Sequence, residues 1–543
     1  MKAILQNLPI CLLLFAGCSG SKDQSSDNRP KTPDKGKQSK VSKADESKSA
    51  KERQAKGSIL LTKKGSASKQ SESNNGYGKK KASKPFREPL FEGWVKPEFT
   101  LFFTGQQRGY LEPCGCTGLA SQKGGLMRRD TFLRSLTQRG WNPIPLDVGN
   151  QVRRQVRQSE IKFQMTADAL KKMNYRAIAF GAEDVQLSFG ELAAAVDPED
   201  KKSPFICANV HLLDSAPQFH IIQAGSRKIG VTAVMGDRFA KSIISDIIEV
   251  EPAEKALARV VKQLQEKRCD VMILLAQASL SETKELAKKF DKFDLVVTSG
   301  GAEEPAYEPS KIAGQNGLLI QIGGKGMYAG VVGYYPDGKQ KFRYQRAPMD
   351  SRFKDSKRMH QLFVGYQDQL KRLYHEQLGI KPRRHPSGAK FVGSAACKDC
   401  HVSAYDVWKK SKHSHATQSL VKPRERAQIQ RHYDPECLSC HVTGWNPQKY
   451  EPYVSGFLHL KKTPLVTGSG CENCHGPGSK HVAAESNDAD AATRKRFQLS
   501  MRLPLKQAER KCMECHDLDN SPDFHVKGAF QRFWKKIAHG KDD

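Results

Sequence analysis

The stretch CENCHGPGSKH, residues 471–481, places two cysteines and two histidines within eleven residues. Its first five residues form one of four C-x-x-C-H motifs, and the other three read CKDCH, CLSCH and CMECH. The motif cysteines are Cys397, Cys400, Cys437, Cys440, Cys471, Cys474, Cys512 and Cys515. The motif histidines are His401, His441, His475 and His516. A repeat this dense decides what the last third of the chain can be.

Several kinds of site use cysteine pairs at this spacing. Zinc ribbons bind an ion with two such pairs, but zinc does not require a histidine directly after the second cysteine. Disulfides form in exported proteins, although C-x-x-C bridges are rarely structural, and thioredoxin-type pairs need a strand and helix context that is missing here. Covalent haem attachment uses every residue of the motif, because two thiols bind the vinyl groups and the histidine binds the iron. The repeat therefore predicts four covalently attached c-type haems.

The composition of residues 385–543 favours the same interpretation. The segment is dense in Cys, His, Pro and Gly and lacks strand-like apolar runs, so it cannot form a conventional hydrophobic core. Four haems would supply large apolar bodies for the chain to surround. We predict a mostly α-helical, loop-rich multihaem cytochrome c domain over residues 385–543.

The N-terminal residues predict export. Residues 1–18, MKAILQNLPICLLLFAGC, contain one early lysine, a short apolar run and small residues before Cys18, which resembles a bacterial lipobox. We predict lipidation of Cys18 and a location on the periplasmic face of a bacterial membrane. A plain secretory signal or an uncleaved anchor would also export the chain. Residues 19–90, rich in Lys and Ser, are predicted to be a disordered basic linker.

The formal net charge of +31 is not gathered on one motif. Basic residues are spread over the linker and the C-terminal segment, and no nucleic-acid-binding motif accompanies them. We therefore expect no nucleic-acid partner. The expected partners are a redox protein donor and acceptor with acidic docking faces, and a membrane bound through the lipid anchor.

Residues 91–350 alternate short apolar runs with amphipathic segments. EFTLFFTG, NPIPLDVG, PFICANV, CDVMILLAQ and DLVVTSG are typical of buried strands, whereas MRRDTFLRSLTQRG and SETKELAKKF are typical of helices. This alternation predicts an α/β layered domain. A charged helical connector is predicted over residues 351–384.

The segments around the haem motifs resemble the tetrahaem c-type cytochrome family whose best-known member accepts electrons from hydroxylamine oxidoreductase. The resemblance covers about residues 385–540 and runs through KFVGSAACKDCH, VWKKSKHSHATQSL, DPECLSCHVTGWN, GSGCENCHGPGSKHV and KCMECHDLDNSPDF. It implies electron transfer, with His481, His539 and one of His413 or His415 as distal iron ligands. Three distal ligands for four haems imply one five-coordinate iron, as in that family.

The α/β segment resembles the 5′-nucleotidase-like, calcineurin-type metallophosphoesterases. That family binds two metals through Asp, Asn and His side chains at strand ends. Asp147 stands where a metal-bridging aspartate would lie. The other expected motifs are replaced by TGQQRG, by GAEDV, by Gln277 and by GGAEE. We therefore expect a degenerate domain without a binuclear phosphoesterase site.

The α/β segment keeps one distinctive cysteine motif, GYLEPCGCTGLASQKGGLMRR. It resembles a group of bacterial nucleotidase-like proteins with Pro-Cys-Gly-Cys followed by Gly-Gly-Leu-x-Arg-Arg. Cys114 and Cys116 could form a strained disulfide or bind a soft metal, which makes them a candidate redox pair. The alternatives are an ordinary structural pair, or disulfides with Cys207 and Cys269.

These observations together predict an exported multihaem cytochrome that transfers electrons through four haem c groups. The alternative is a periplasmic oxidoreductase that uses a five-coordinate haem or the pair Cys114 and Cys116. A metallophosphoesterase or nucleotidase is the third possibility. The sequence favours an electron-transfer protein over an enzyme without deciding between them.

Overall fold

The computed structural model describes residues 89–113, 122–154, 156–196, 203–212, 216–243, 245, 248–424 and 429–539. The signal segment with Cys18, the linker up to residue 88, and the pair Cys114 and Cys116 lie outside the described residues. The described residues belong to one compact unit that spans residues 83–543. The α/β part and the haem-motif part are therefore packed as one body.

Most strands lie before residue 349, and the chain after residue 401 consists largely of short helices. The strands are β1 (Phe99–Thr104), β2 (Pro143–Asp147), β3 (Ala177–Ala179), β4 (Phe205–Ile206), β5 (Val210–Leu212), β6 (Phe219–Ala224), β7 (Arg227–Met235), β8 (Ile248–Val250), β9 (Val271–Gln277), β10 (Leu295–Thr298), β11 (Ser310–Lys311), β12 (Leu318–Gln321), β13 (Tyr328–Tyr334), β14 (Phe342–Pro348), β15 (Trp445–Asn446) and β16 (Glu451–Pro452). The helices are α1 (Leu126–Gln138), α2 (Arg157–Lys172), α3 (Phe189–Val196), α4 (Asp237–Ala240), α5 (Ala253–Glu266), α6 (Leu280–Lys289), α7 (Lys357–Gln377), α8 (Val402–Lys410), α9 (Ala416–Val421), α10 (Pro435–His441), α11 (Cys471–His475), α12 (Ser479–Ser486), α13 (Ala491–Met501), α14 (Leu505–Cys512) and α15 (Ala529–Trp534). Within the described ranges, no helix combines the length and apolar character needed to cross a membrane.

The α/β part contains two six-stranded mixed sheets. The first has the order β14-β13-β1-β2-β3-β4, in which β1 to β4 are parallel and β13 pairs antiparallel with β1 and β14. The second has the order β11-β12-β10-β9-β7-β6, with a parallel centre from β12 to β7. Every residue of β1 and β9 is buried, as expected for central strands that are covered on both faces.

The two sheets stack face to face, and helices cover their outer surfaces. The core between the sheets includes Leu101 and Phe103 from the first sheet and Val231 and Ile273 from the second. Helices α1, α2 and α7 pack on the outer face of the first sheet, and α5 and α6 pack on that of the second. The predicted α/β layered domain is confirmed, and it has four layers.

One predicted strand, PFICANV, is divided between two sheets. Its first part is β4, beside β3 in the first sheet, whereas its end is β5, which pairs with β8. Asn209 redirects the chain, because its amide donates to the carbonyl oxygen of Met235 at 2.8 Å and accepts from the Met235 backbone amide at 2.9 Å. The sequence also did not predict the hairpin of β6 and β7 or the edge strand β14.

The connector helix is part of the hydrophobic core. Helix α7 packs against α1 and α2. It buries Met359, Phe363, Tyr366 and Leu370 in the same core cluster as the outer face of the first sheet. The connector therefore fixes the start of the haem-motif part to the α/β part.

The haem motifs lie in or beside short helices. CLSCH ends α10, CENCH forms α11, CMECH begins at the last residue of α14, and CKDCH follows a 3-10 turn and precedes α8. One small apolar cluster supports them, formed by Leu420, Leu438, Val442, Trp445, Phe457 and Val466. The predicted mostly α, loop-rich organisation is confirmed.

A buried ion pair joins the two parts. The Arg431 guanidinium donates to both carboxylate oxygens of Glu112, at 2.7 and 2.9 Å. The two side chains are only 6% and 12% exposed. The guanidinium also lies 5.3 Å from the ring centre of Phe363 in α7. Since a buried charge without its counter-ion is costly, this pair couples the stability of the two parts.

We expect Arg431→Ala to lower the free energy of unfolding by about 3–5 kcal/mol, because the Glu112 carboxylate stays buried without this counter-ion. Arg227→Ala is the matched control, since it removes a solvent-accessible pair with Glu98 and should cost far less. Urea denaturation of both variants measures the difference. Equal losses in the two variants would contradict a special role for the buried pair.

Candidate functional site

Three pairs of imidazole rings face each other in the haem-motif part. The ring centres are 6.3 Å apart for His401 and His481, 6.1 Å for His413 and His516, and 5.8 Å for His475 and His539. An iron bound on both sides by imidazole nitrogens at about 2 Å holds the two ring centres about 6 Å apart. Each pair joins one motif histidine to one histidine outside the motifs, so the spacing in each fits one haem iron.

The structure distinguishes between two neighbouring candidate ligands. His413 is half-buried and faces His516, whereas His415 is exposed to solvent. Both lie in the 3-10 turn His413–His415, which follows α8. The fold therefore brings His413, and not His415, to the side of the fourth motif.

The motif histidines are oriented through their second ring nitrogen. His441 Nδ1 lies 3.0 Å from the carbonyl oxygen of Ala416, and His475 Nδ1 lies 2.7 Å from that of Met501. His516 Nδ1 lies 2.9 Å from Ser521 Oγ. A hydrogen bond at Nδ1 leaves Nε2 available to bind a metal and fixes the plane of the ring. This arrangement suits proximal haem ligands.

The four motifs form one continuous group around the third. Asn473, inside the third motif, donates to the backbone oxygen of Val442, which directly follows the second motif, at 2.9 Å. The Cys471 amide donates at 3.1 Å to Ser394 Oγ, in the 3-10 turn that leads into the first motif. Helix α11 also contacts α14, whose last residue begins the fourth motif.

The zinc alternative needs three or four ligands around one ion. In the part of the chain that the structure describes, no group of three or more His, Cys, Asp or Glu side chains could hold a metal ion. The histidines meet as the facing ring pairs described above, which suit an iron bound from two sides better than a tetrahedral ion.

Glu472, inside the third motif, is a structural residue that the sequence analysis missed. Its buried carboxylate accepts the backbone amides of Val392 at 3.0 Å, Gly393 at 2.7 Å and Gly478 at 2.7 Å. Burial is the main influence on this carboxyl and raises its pKa. The contacts tie the segment before the first motif to the loop that leads to His481. The sequence carried one signal of this role, because a charged residue between the two cysteines of a motif needs hydrogen-bond partners if the motif is buried.

At the strand ends of the α/β part, the one aspartate that could bridge metals is bound by other protein groups. Asp147 is buried and accepts from Thr104 Oγ1 at 2.6 Å, from Gln151 Nε2 at 2.7 Å and from the Gly149 amide at 2.9 Å. The guanidinium of the fully buried Arg129 lies 3.7 Å from it. The carboxylate is therefore engaged by protein groups on several sides.

Amides and an ion pair occupy the segment TGQQRG, which stands where one of the expected metal-binding motifs would lie. Gln106 accepts from Arg108 Nε and from Asn150 Nδ2, both at 2.9 Å, and donates to the backbone oxygen of Ser299 at 3.0 Å. Arg108 pairs with Glu303 at 2.5 Å. Gln277 is buried at the end of β9. These groups bind each other rather than present a set of carboxylates and imidazoles.

The remaining cysteines of the α/β part are free thiols in the structure. Cys207 is buried and Cys269 is half-buried, and burial raises the pKa of both thiols. Neither is bonded to another described cysteine.

Comparison with known proteins gives separate matches for the two parts. Residues 396–476 match the family described as Cytochrome c554 and c-prime. The chain is 28% identical over 165 residues to cytochrome c-554 of Nitrosomonas europaea, which covers 27% of this chain and 67% of that protein. It is 24% identical over 197 residues to an apyrase of Aedes aegypti, which covers 33% of this chain and 35% of that protein. This chain thus spans about a third of the apyrase.

Among solved structures, the chain is similar to a 5′-nucleotidase precursor from Thermus thermophilus. The TM-score is 0.45 and the identity 16%, over 60% of this chain and 66% of that one. The sequence matches and the ring pairs lead to one conclusion about the C-terminal part. It is a c-type cytochrome domain, which implies covalently bound haem c, and it follows an α/β domain in the same chain.

We expect His413→Ala to convert one haem from low spin to high spin, because the ring that faces His516 is lost. His415→Ala is the matched control two residues away and should leave all spin states unchanged. Electron paramagnetic resonance and visible spectra of the oxidised holoprotein measure the change. A high-spin signal gained in the His415 variant instead would contradict the assignment of His413.

Proposed function

We propose that this protein is an exported tetrahaem cytochrome that transfers electrons through four covalently attached haems. The observation that supports this most directly is the set of three facing imidazole pairs with ring centres 5.8–6.3 Å apart. Each pair combines a histidine that directly follows a C-x-x-C pair with a histidine outside the motifs. Three such pairs have the spacing that an iron bound from two sides requires.

The haem supplies reversible one-electron chemistry, and the chain supplies attachment and orientation. The motif cysteines would hold each haem through two thioether bonds. His481, His413 and His539 would bind iron opposite His401, His516 and His475. The backbone oxygens of Ala416 and Met501 would hold two of the proximal rings in one orientation.

The contacts between motifs support transfer along the protein rather than chemistry at isolated sites. Hydrogen bonds relate the third motif to the segments of the first and second motifs, and helix α11 contacts α14, which leads into the fourth. Haems attached to such motifs would be close neighbours, so electrons could cross the domain in short steps.

The net charge supports acidic redox partners, and the N-terminal segment supports a periplasmic location. A net charge of +31, offset in part by haem propionates, would favour redox proteins with acidic docking faces. Association would then slow as salt concentration rises. The lipobox-like residues before Cys18 support attachment to the periplasmic face of a bacterial membrane.

A second candidate function is an oxidoreductase that acts at an open iron. The family resemblance implies three distal ligands for four haems, which leaves one iron able to take an external ligand. The pair Cys114 and Cys116 is an alternative redox site. A hydrolase is the weakest candidate, because amides and an ion pair stand at the strand ends where metal ligands would be needed.

A pyridine haemochrome assay on protein made in a host with haem-attachment machinery tests the proposal. We expect four covalent haems per chain, with three low-spin and one high-spin component in the oxidised spectrum. Binding of carbon monoxide or nitrite to the high-spin component would favour the oxidoreductase. Protein that folds with bound zinc and no covalent haem would overturn the cytochrome.

A further inference from the structure

The loops that follow the strands of the first sheet reach the fourth haem motif. Asp519, three residues after His516, accepts from Tyr110 Oη at 2.8 Å, from Arg153 Nη1 at 2.8 Å and from Lys325 Nζ at 2.5 Å. Tyr110 lies in the loop after β1, Arg153 in the loop after β2 and Lys325 in the loop before β13. One carboxylate of the cytochrome domain is thus held by three separate segments of the α/β domain.

These three donors also organise one another. The Arg153 guanidinium lies 4.9 Å and the Lys325 ammonium 5.5 Å from the centre of the Tyr110 ring. Burial acts to raise the pKa of Asp519, but the hydrogen bonds from Lys325, Tyr110 and Arg153 outweigh it and lower the pKa to about 2. The carboxylate therefore stays charged between its two cations.

A second contact fixes the helix that carries the second haem motif. Asp434 caps α10, because its Oδ1 accepts the Glu436 amide at 3.0 Å. The same buried carboxylate accepts from Gln158 of α2 at 2.8 Å and from Gln367 of α7 at 3.0 Å. Lys162 of α2 pairs with the Glu436 side chain at 2.7 Å. The start of this motif helix is therefore positioned by two helices from outside the cytochrome domain.

The two contacts act on neighbouring motifs, since Gln448, seven residues after His441, donates to the backbone oxygen of Glu514 inside the fourth motif at 2.6 Å. In both contacts a cation of the α/β domain also pairs with a carboxylate of the cytochrome domain, since Lys162 pairs with Glu436 and Lys325 with Asp519. The Asp434 contact comes from helices, whereas the Asp519 contact comes from loops that follow or precede the central strands of the first sheet. In open α/β sheets this edge is where ligands are usually bound.

We infer that the α/β domain uses this edge and helix α2 to hold the second and fourth haem motifs, with Asp434 and Asp519 as positioning residues that set the reduction equilibria of the haems attached there. The inference rests on the proposed cytochrome function. It gives the α/β domain a role in positioning and tuning haems in place of hydrolysis. Because charges close to an iron shift its reduction, Lys325 and Asp519 should act in opposite directions.

Lys325→Met and Asp519→Asn test the fourth motif in the holoprotein. Removing the cation favours the ferric state, whereas removing the carboxylate favours the ferrous state. We expect opposite shifts in the reduction equilibrium of one haem, each about three- to tenfold. Lys341→Met is the matched control, since it removes a surface pair with Asp294 within the α/β domain. Potentiometric titration followed by visible spectra measures all three variants.

Gln158→Leu and Gln164→Leu form a second matched pair on α2. Gln158 donates to Asp434, whereas Gln164 donates to the backbone of Glu191 within the α/β domain. We expect only the Gln158 variant to change the titration or the spin state of a haem, with four haems still attached. This measurement does not depend on the stability of the Asp519 contact.

The outcomes distinguish a failure of the proposed cytochrome function from a failure of the inference about the interface. Wild-type protein without covalent haem would overturn the proposed function itself. Holoprotein with four haems whose Lys325, Asp519 and Gln158 variants titrate like their controls would overturn only the inference. Shifts of the same sign in the Lys325 and Asp519 variants would indicate a loosened interface and would also overturn electrostatic control.

Discussion

The spacing of facing imidazole rings is the constraint on which the proposed cytochrome function depends. It is observed three times, for histidines that come from different elements. His481 lies in α12, His413 in a 3-10 turn and His539 after α15. The short helices, glycine-rich loops and small apolar cluster bring these rings together. A larger conventional core would leave no room for haems at the motifs.

Backbone and carboxylate hydrogen bonds maintain that spacing. Carbonyl oxygens of Ala416 and Met501 orient two proximal rings, and Glu472 ties the segment before the first motif to the loop before His481. Each of these bonds is worth little alone, about 1 kcal/mol. Their value lies in fixing orientation, since a ring that turns away from the iron no longer binds it.

The architecture of the α/β domain and the chemistry at its strand ends have different requirements. Two stacked sheets with buried central strands need only apolar residues at regular positions, and those are present. Metal binding needs particular side chains at the strand ends. Gln106, Arg108 and Asn150 occupy those positions and bind each other. The neighbouring loops contact the cytochrome domain instead, so the edge is used for a different purpose.

Local patterns in the sequence were sufficient for the fold class, for most strands and helices, and for the haem motifs. An apolar run, an amphipathic period and a C-x-x-C-H spacing each express a requirement of neighbouring residues. The strand divided at Asn209 and the unpredicted hairpin of β6 and β7 show the limit, because their pairing depends on partners elsewhere in the chain.

Four motifs in the sequence are sufficient to predict haem attachment, and the sequence limits the candidate distal ligands to a few histidines. Which of them face which motif, that His413 faces His516 whereas His415 is exposed, and that Asp519 and Asp434 contact the α/β domain become visible only in the folded chain. This difference arises from sequence separation. A covalent attachment motif acts over five residues, whereas ring pairs and interdomain ion pairs join residues up to hundreds of positions apart. Such contacts form only when the complete chain has packed.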